Sequence, residues 1–213
     1  MKGESGMITL AIDFSTERRS VCVTDHSGRE ATAIVEDRKV GALSLIGKAL
    51  TDAGIDREEV ELIAVGLGPG SYTGIRAAIA TAQGWHLGTG VKLAGISSVD
   101  LMARSVVVEG GFAVVVDAQR GEFYCARYLR ECGTVRPVSP LEIVGAEVVN
   151  ELAIRFSPEP GKVEGPTEAV FPDPKELARM ALAADEFVEA ENLTPIYLRE
   201  VEFKKAPPAR EIH

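Results

Sequence analysis

Between residues 61 and 91 the sequence passes from an apolar run through a glycine-rich turn into a helix without charge, and few folds accept that succession. Glu61-Leu-Ile-Ala-Val-Gly-Leu67 has the short, continuous apolar character of a strand buried on both faces. Gly66-Leu-Gly-Pro-Gly-Ser-Tyr-Thr-Gly-Ile-Arg76 follows, and residues 75 to 87 read as a helix. Glycines at such a junction let the backbone approach a ligand or a neighbouring chain, and the free N–H groups of a first helical turn favour an anion. Ser71 and Thr73 are placed to cap that turn or to hold the anion. The same glycines equally suit a plain tight turn that packs a helix onto a sheet.

Two familiar glycine motifs do not fit. A Walker loop needs Lys and then Ser or Thr after its last glycine, and Gly74 is followed by Ile75 and Arg76. Gly68, Gly70 and Gly74 give a stretched dinucleotide fingerprint, but no acidic residue ends the next strand, Val91 to Ile96, where a ribose partner belongs.

From Ala77 to Val91 there is no Asp, Glu, Lys or Arg. Ala77, Thr81, Gly84 and Gly88 share one face, and Ile75, Ile79 and Ala82 share another that suits a sheet. A surface helix normally keeps a charged face, so this one is expected to be covered on both sides. Its cover is either a second domain of the same chain or a partner.

At 213 residues there is length for one large domain or two small ones. No apolar run is long enough to span a bilayer, and Met1-Lys-Gly-Glu-Ser-Gly6 lacks the apolar stretch of a secretion signal, so a cytoplasmic location without membrane contact is expected. Cys22, Cys125 and Cys132 have no metal or redox spacing and read as reduced thiols. A net charge of −9 argues against independent binding of nucleic acid. His26, His86 and His213 are far apart in sequence, so no metal site is expected. No nucleophile elbow is present, and no catalytic residue is assigned.

Residues 8–13, 20–24 and 30–35 read as three consecutive strands, with a hairpin turn at Asp25-His-Ser-Gly28. An amphipathic helix spans 41 to 53 through Leu43, Ile46 and Leu50, and Ser97 or Ser98 caps another running to about Val106. Phe112-Ala-Val-Val-Val-Asp117 then repeats the apolar strand ending in Asp seen at Leu10-Ala-Ile-Asp13, and a second hairpin follows at 123–128. Further on, helices are expected near 146–156 and 174–186, with proline-rich turns between them and an extended segment at 195–199. Asp13, Ser15 and Thr16 have the composition of a turn that holds phosphate oxygens while the carboxylate orients a metal-bound water, or of a plain Asx turn. Asp117, Arg120 and Gly121 give the second half an equivalent turn.

Ala11-Ile-Asp-Phe-Ser-Thr-Glu17, the glycine turn 66–76, Ala82-Gln-Gly84, Gly95-Ile-Ser-Ser98, Asp117-Ala-Gln-Arg-Gly-Glu-Phe-Tyr124 and Pro195-Ile-Tyr-Leu-Arg199 together resemble the TsaB family, also called YeaZ, over about residues 7 to 200. The resemblance implies an α/β fold of two ribonuclease-H-like domains of the actin, sugar-kinase and Hsp70-like superfamily, the second reduced. The domains are expected at 1–106 and 107–200, with a loose tail at 201–213. It further implies a non-catalytic subunit that binds and activates a TsaD-like enzyme, which transfers threonylcarbamoyl to an adenosine beside the tRNA anticodon. A TsaE-like ATPase joins them, the chain alone forms a homodimer, and tRNA is met only through the complex. An old protease label for the family, of the M22 glycoprotease kind, is not supported by these residues.

The implied partner surface comprises Gly68, Pro69, Gly70, Ser71, Tyr72, Thr73, Ala77, Thr81, Gly84, Trp85 and Gly88, on helices expected at 41–53 and 72–87. Asp13, Ser15, Thr16, Asp117, Arg120 and Gly121 are the candidate nucleotide residues; no cofactor is assigned to this chain alone, and ATP or ADP has a place only at a shared interface. Phe14 stands where the family has a small or hydroxyl residue, Lys39-Val-Gly41 replaces a His-containing helix entry, and a glycine-rich adenosine loop is missing. The alternative is an ATP-dependent phosphotransferase or nucleotide hydrolase relying on Asp13 and Asp117.

Overall fold

The structure, a computed structural model, describes residues 7–37, 40–184 and 186–199. The expected tail at 201–213 and Lys39 at the entry to the first helix lie outside the described residues.

The chain opens with β1 (Thr9–Asp13), β2 (Arg19–Thr24) and β3 (Glu30–Val35), an antiparallel meander. After α1 (Ala42–Ala53) come β4 (Leu62–Gly66), α2 (Tyr72–Thr89) and β5 (Lys92–Ile96). β4 lies parallel to both β1 and β5, giving the order β3-β2-β1-β4-β5. β1 and β4 are buried at every position, as continuous apolar runs at the centre of a sheet require.

The two faces of this sheet differ in side-chain size. Leu10, Ile12, Ile63 and Val65 point toward α1 and α2, each fully withdrawn from water and contributing about 1.5–3 kcal/mol. Ala11, Cys22, Leu62, Ala64 and Ala94 face the other way, and alanines there allow a helix to come close. That helix is α5 (Pro174–Leu182). On the first face, Ile75, Ala78, Ile79 and Ala82 of α2 seat the helix, as the sequence pattern anticipates. Leu43 differs from expectation: it is 72% exposed, because Leu45, Ile46, Ala49 and Leu50 already form the buried stripe of α1.

α3 (Ser98–Ser105) leads into a second sheet. β6 (Gly110–Asp117) pairs antiparallel with β7 (Glu122–Glu131), which also pairs with β8 (Thr134–Pro137) and β9 (Glu142–Gly145). After α4 (Ala146–Asn150), β10 (Arg155–Ser157) lies parallel to β6, and β11 (Glu168–Ala169) lies parallel to β10. Each sheet therefore has a strand ending in Asp with an antiparallel neighbour on one side and a parallel one on the other. The repeat read in the sequence is a repeat of topology. The molecule is a mixed α/β structure of two sheets.

Two later expectations are corrected. The helix expected near 146–156 is α4 alone, five residues long, because Arg155 turns inward as part of β10. Arg155 is 6% exposed and donates to the carbonyls of Val149, Glu164 and Pro166, so a cation organises this region instead of an apolar stripe. The other is α5 (Pro174–Leu182), which stops short of 186. Leu177, Ala178 and Ala181 of α5 pack on the alanine face of the first sheet, so this late segment adds a layer to the earlier sheet.

The chain from 186 to 199 runs back along the first sheet toward the second. Val188 N–H donates to Leu93 O, Ile196 N–H to Leu67 O, and the Gln83 amide on α2 holds the carbonyls of Ala190 and Leu193. Arg199 then reaches the Ala118 carbonyl and pairs with Glu122 beside the second Asp turn. Among the described residues no helix is long and apolar enough to cross a membrane.

Candidate functional site

A cleft of about 1150 Å³ separates the two Asp turns. Ser15, Thr16, Asp117 and Arg120 line it, together with Lys162, Tyr72, Tyr197 and Arg199. Asp13 and Gly121 do not line it.

Asp13 sits beneath the wall with no exposed surface. Its carboxylate accepts the Ser15 N–H at 2.8 Å, the Ser15 hydroxyl at 2.6 Å and the Ser98 hydroxyl at 2.7 Å. Burial pushes the Asp13 carboxyl above its ordinary range, against the opposing pull of those hydrogen bonds. Ser98 Oγ also accepts the Gly68 N–H at 3.0 Å, so Asp13 ties the end of β1 to the glycine turn. Thr16 donates to the Arg18 carbonyl. The hydroxyls that would meet a phosphate are therefore engaged within the protein, and this turn does not fit one. Phe14 belongs to the core, 1% exposed, with the Arg19 guanidinium over its ring.

The glycines have the same local explanation. A Cβ on Gly66 would lie 1.8 Å from Asp13 Oδ2, one on Gly70 2.1 Å from Ser15 O, and one on Gly74 2.0 Å from Phe14 O. The Ser71 N–H donates to Ser15 O at 2.6 Å, and the Ser71 hydroxyl accepts from Gly74 N as the N-cap of α2. The close approach that the turn permits is to residues 13–15 of its own chain.

Asp117 has the opposite electrostatics. Burial acts to raise its carboxyl, but Lys162 Nζ at 2.9 Å and the Gln119 N–H at 2.7 Å hold it below the ordinary range. Arg120 is exposed, lines the cleft and makes no hydrogen bond or ion pair with the described residues.

On α2, Gly84 and Gly88 are exposed with nothing near the position of a Cβ, and Leu87 beside them is 88% exposed. Ala77 and Thr81 are half-buried, Tyr72 and Thr73 exposed. The small face is thus left open by the described residues. Gly68 and Pro69 are largely buried and Gly70 is pressed against Ser15, so all three serve the turn, and Pro69 and Gly70 also line the cleft. Trp85 is half-buried and packs against the core with the Arg57 guanidinium over its ring. Leu43 and Leu87 are the surface residues that sequence reasoning missed; the absence of charge around Leu87 was the available signal.

A model of the TsaD family, described as tRNA N6-adenosine threonylcarbamoyltransferase, matches residues 38–185. The Escherichia coli (strain K12) tRNA threonylcarbamoyladenosine biosynthesis protein TsaB is 29% identical over 228 residues, covering 94% of this chain and 99% of that protein. YeaZ from Pseudomonas aeruginosa superposes with a TM-score of 0.75 at 26% identity, over 90% of this chain and all of that one. The chain belongs to the TsaB (YeaZ) family. The Haemophilus influenzae TsaB, 25% identical over 93% of this chain and 96% of its own length, is a further relative.

One feature of this TsaB-family cleft stores strain. Gln119 and Arg120 both have positive φ, 66° and 62°, ahead of Gly121 at 77°. Left-handed backbone costs a non-glycine residue roughly 1–2 kcal/mol. Arg120→Gly is expected to raise stability by up to about 1 kcal/mol, since relief of strain exceeds the added freedom of the unfolded chain. Arg120→Ala keeps the strain and is expected to change stability by less than about 0.5 kcal/mol. Urea unfolding of the two variants separates backbone strain from any role of the guanidinium in packing.

Proposed function

We propose that this chain is a non-catalytic subunit of the machinery that makes threonylcarbamoyladenosine in tRNA. In this reading it binds and activates a TsaD-like transferase in the cytoplasm, with a TsaE-like ATPase joining the pair. The observation that carries the reading is the face of α2 around Gly84, Leu87 and Gly88: uncharged, free of Cβ contacts and open. Small residues let a second helix approach closely, and leaving such a surface in water is unfavourable. The same face supports homodimerisation when the partner is absent. The named relatives support the pathway, being called tRNA threonylcarbamoyladenosine biosynthesis proteins.

The sheet order and the paired hairpins support two ribonuclease-H-like units, the first taking back α5 from the later part of the chain. A net charge of −9 supports contact with tRNA through basic partners and not through this surface. ATP or ADP at a shared interface would meet Arg120 at the cleft wall. No step of the proposed role passes through a nucleotide, because the first turn does not fit a phosphate.

The test is threonylcarbamoyl transfer to tRNA by the TsaD-like, TsaE-like and adenylate-forming proteins of the same organism, with this chain present or omitted. Product is expected to fall to background on omission. Equal product without the chain would overturn the role. The phosphotransferase alternative predicts steady ATP turnover by the purified chain, which the sealed position of Asp13 opposes.

A further inference from the structure

A concentration of arginine stands out on a chain this acidic, and one lies away from the cleft. Arg104 of α3, Arg130 of β7 and Arg179 of α5 line a cavity of about 350 Å³ with Gly133, Thr134 and Glu176. None of these residues lines the cleft. Three like charges drawn together from three elements need anions between them.

The carboxylates present are largely engaged. Glu176, 15% exposed, takes two hydrogen bonds from Arg179 at 2.8 and 2.6 Å. Arg104 stands 3.5 Å from that same carboxylate and makes no hydrogen bond with the described residues. Glu109 accepts the N–H groups of Cys132 and Gly133, and Arg130 is 3.7 Å from it. The Arg130 side chain is only 17% exposed, yet among the described residues it makes just one hydrogen bond, to the Val106 carbonyl at 2.6 Å. A guanidinium largely out of water normally finds acceptors for most of its donors. Three arginines against Glu176 and Glu109 leave one net positive charge around the cavity that all three line.

We propose that the Arg104–Arg130–Arg179 pocket binds one phosphate group. A tetrahedral oxyanion presents several acceptors at once, which suits guanidinium forks arriving from different directions. The cavity has room for it with part of its hydration, since water occupies about 30 Å³ per molecule in the liquid. Inorganic phosphate and a phosphodiester of RNA offer the same chemistry here, and the experiment separates them. The inference does not depend on the proposed partner role.

Thermal unfolding of the full chain is followed against inorganic phosphate, with chloride at matched ionic strength, and separately against a short single-stranded RNA. The expected result is a saturable rise in Tm that chloride does not reproduce. Arg104→Gln is expected to weaken the apparent affinity about tenfold, the loss of one charge-assisted contact. This variant keeps the fold, because Arg104 is 40% exposed and holds no hydrogen bond. Arg57→Gln, at a distant exposed arginine, is expected to behave as the unaltered chain. An Arg104-dependent response to RNA identifies a backbone phosphodiester as the source, and one to inorganic phosphate alone identifies the free ion. Absence of an Arg104-dependent response to either probe, or equal loss in Arg57→Gln, overturns the site.

Discussion

Gly84→Arg is expected to abolish association with a TsaD-like subunit while leaving the isolated chain more stable. The two effects have opposite signs because one is felt in the free chain and the other only when a second helix is packed on this face. Among the described residues nothing lies within 4 Å of a Cβ at Gly84, so the new side chain extends into open space. Replacing glycine in a helix interior also gains up to about 1 kcal/mol of propensity, worth roughly 2–4 °C in Tm. At an interface built on small residues, the same side chain prevents close helix approach. Overpacking costs typically about 1–3 kcal/mol and more where a charge is also desolvated, so a loss of at least about 100-fold in affinity follows. Calorimetric titration with the partner, alongside a thermal melt, reads both effects. A variant that binds with unchanged affinity would remove α2's open face from the proposed interface.

Much of the first sheet was legible because its strands are continuous apolar runs and its helices carry their signals locally. Leu10, Ile12, Ile63 and Val65 announce buried strands, and Ser71 and Gly54 mark helix ends that the structure uses as caps. The uncharged face of α2 was legible because a missing class of residue is visible without any tertiary information; that the described residues leave it uncovered, where cover by the same chain or a partner was expected, was not. What escaped is held by contacts distant in sequence. Arg155 reads as a surface cation until the carbonyls of Val149, Glu164 and Pro166 are seen around it. The return of α5 to the first sheet depends on alanines at 11, 64 and 94 being small enough to admit it, a fit between segments that neither shows alone. The roles of Gly66, Gly70 and Gly74 were ambiguous on similar grounds. Their sequence says only that something approaches closely, and the approaching group is the backbone and carboxylate of residues 13–15.

Asp13 is where a structural and a catalytic reading of the first turn diverge most sharply in their consequences. Asp13→Ala is expected to destabilise the protein by about 2–4 kcal/mol, because it strands the Ser15 N–H and the Ser98 hydroxyl in a dry site and leaves a void. Asp13→Asn keeps an acceptor for Ser15 and is expected to stay within about 1 kcal/mol of the unaltered chain at neutral pH. The pH dependence adds a second sign. The native carboxyl is raised above its ordinary value of 3.8, so the native state holds the proton more firmly than the unfolded chain does. Its contribution to stability is therefore fullest below that ordinary value and is lost as pH rises through the native one. Asp13→Asn cannot titrate and gains on the unaltered chain across the same window. Urea unfolding as a function of pH measures both quantities. If Asp13→Ala instead leaves stability intact and removes an ATP turnover that the unaltered chain possesses, the carboxylate is chemical and the phosphotransferase reading replaces the scaffold.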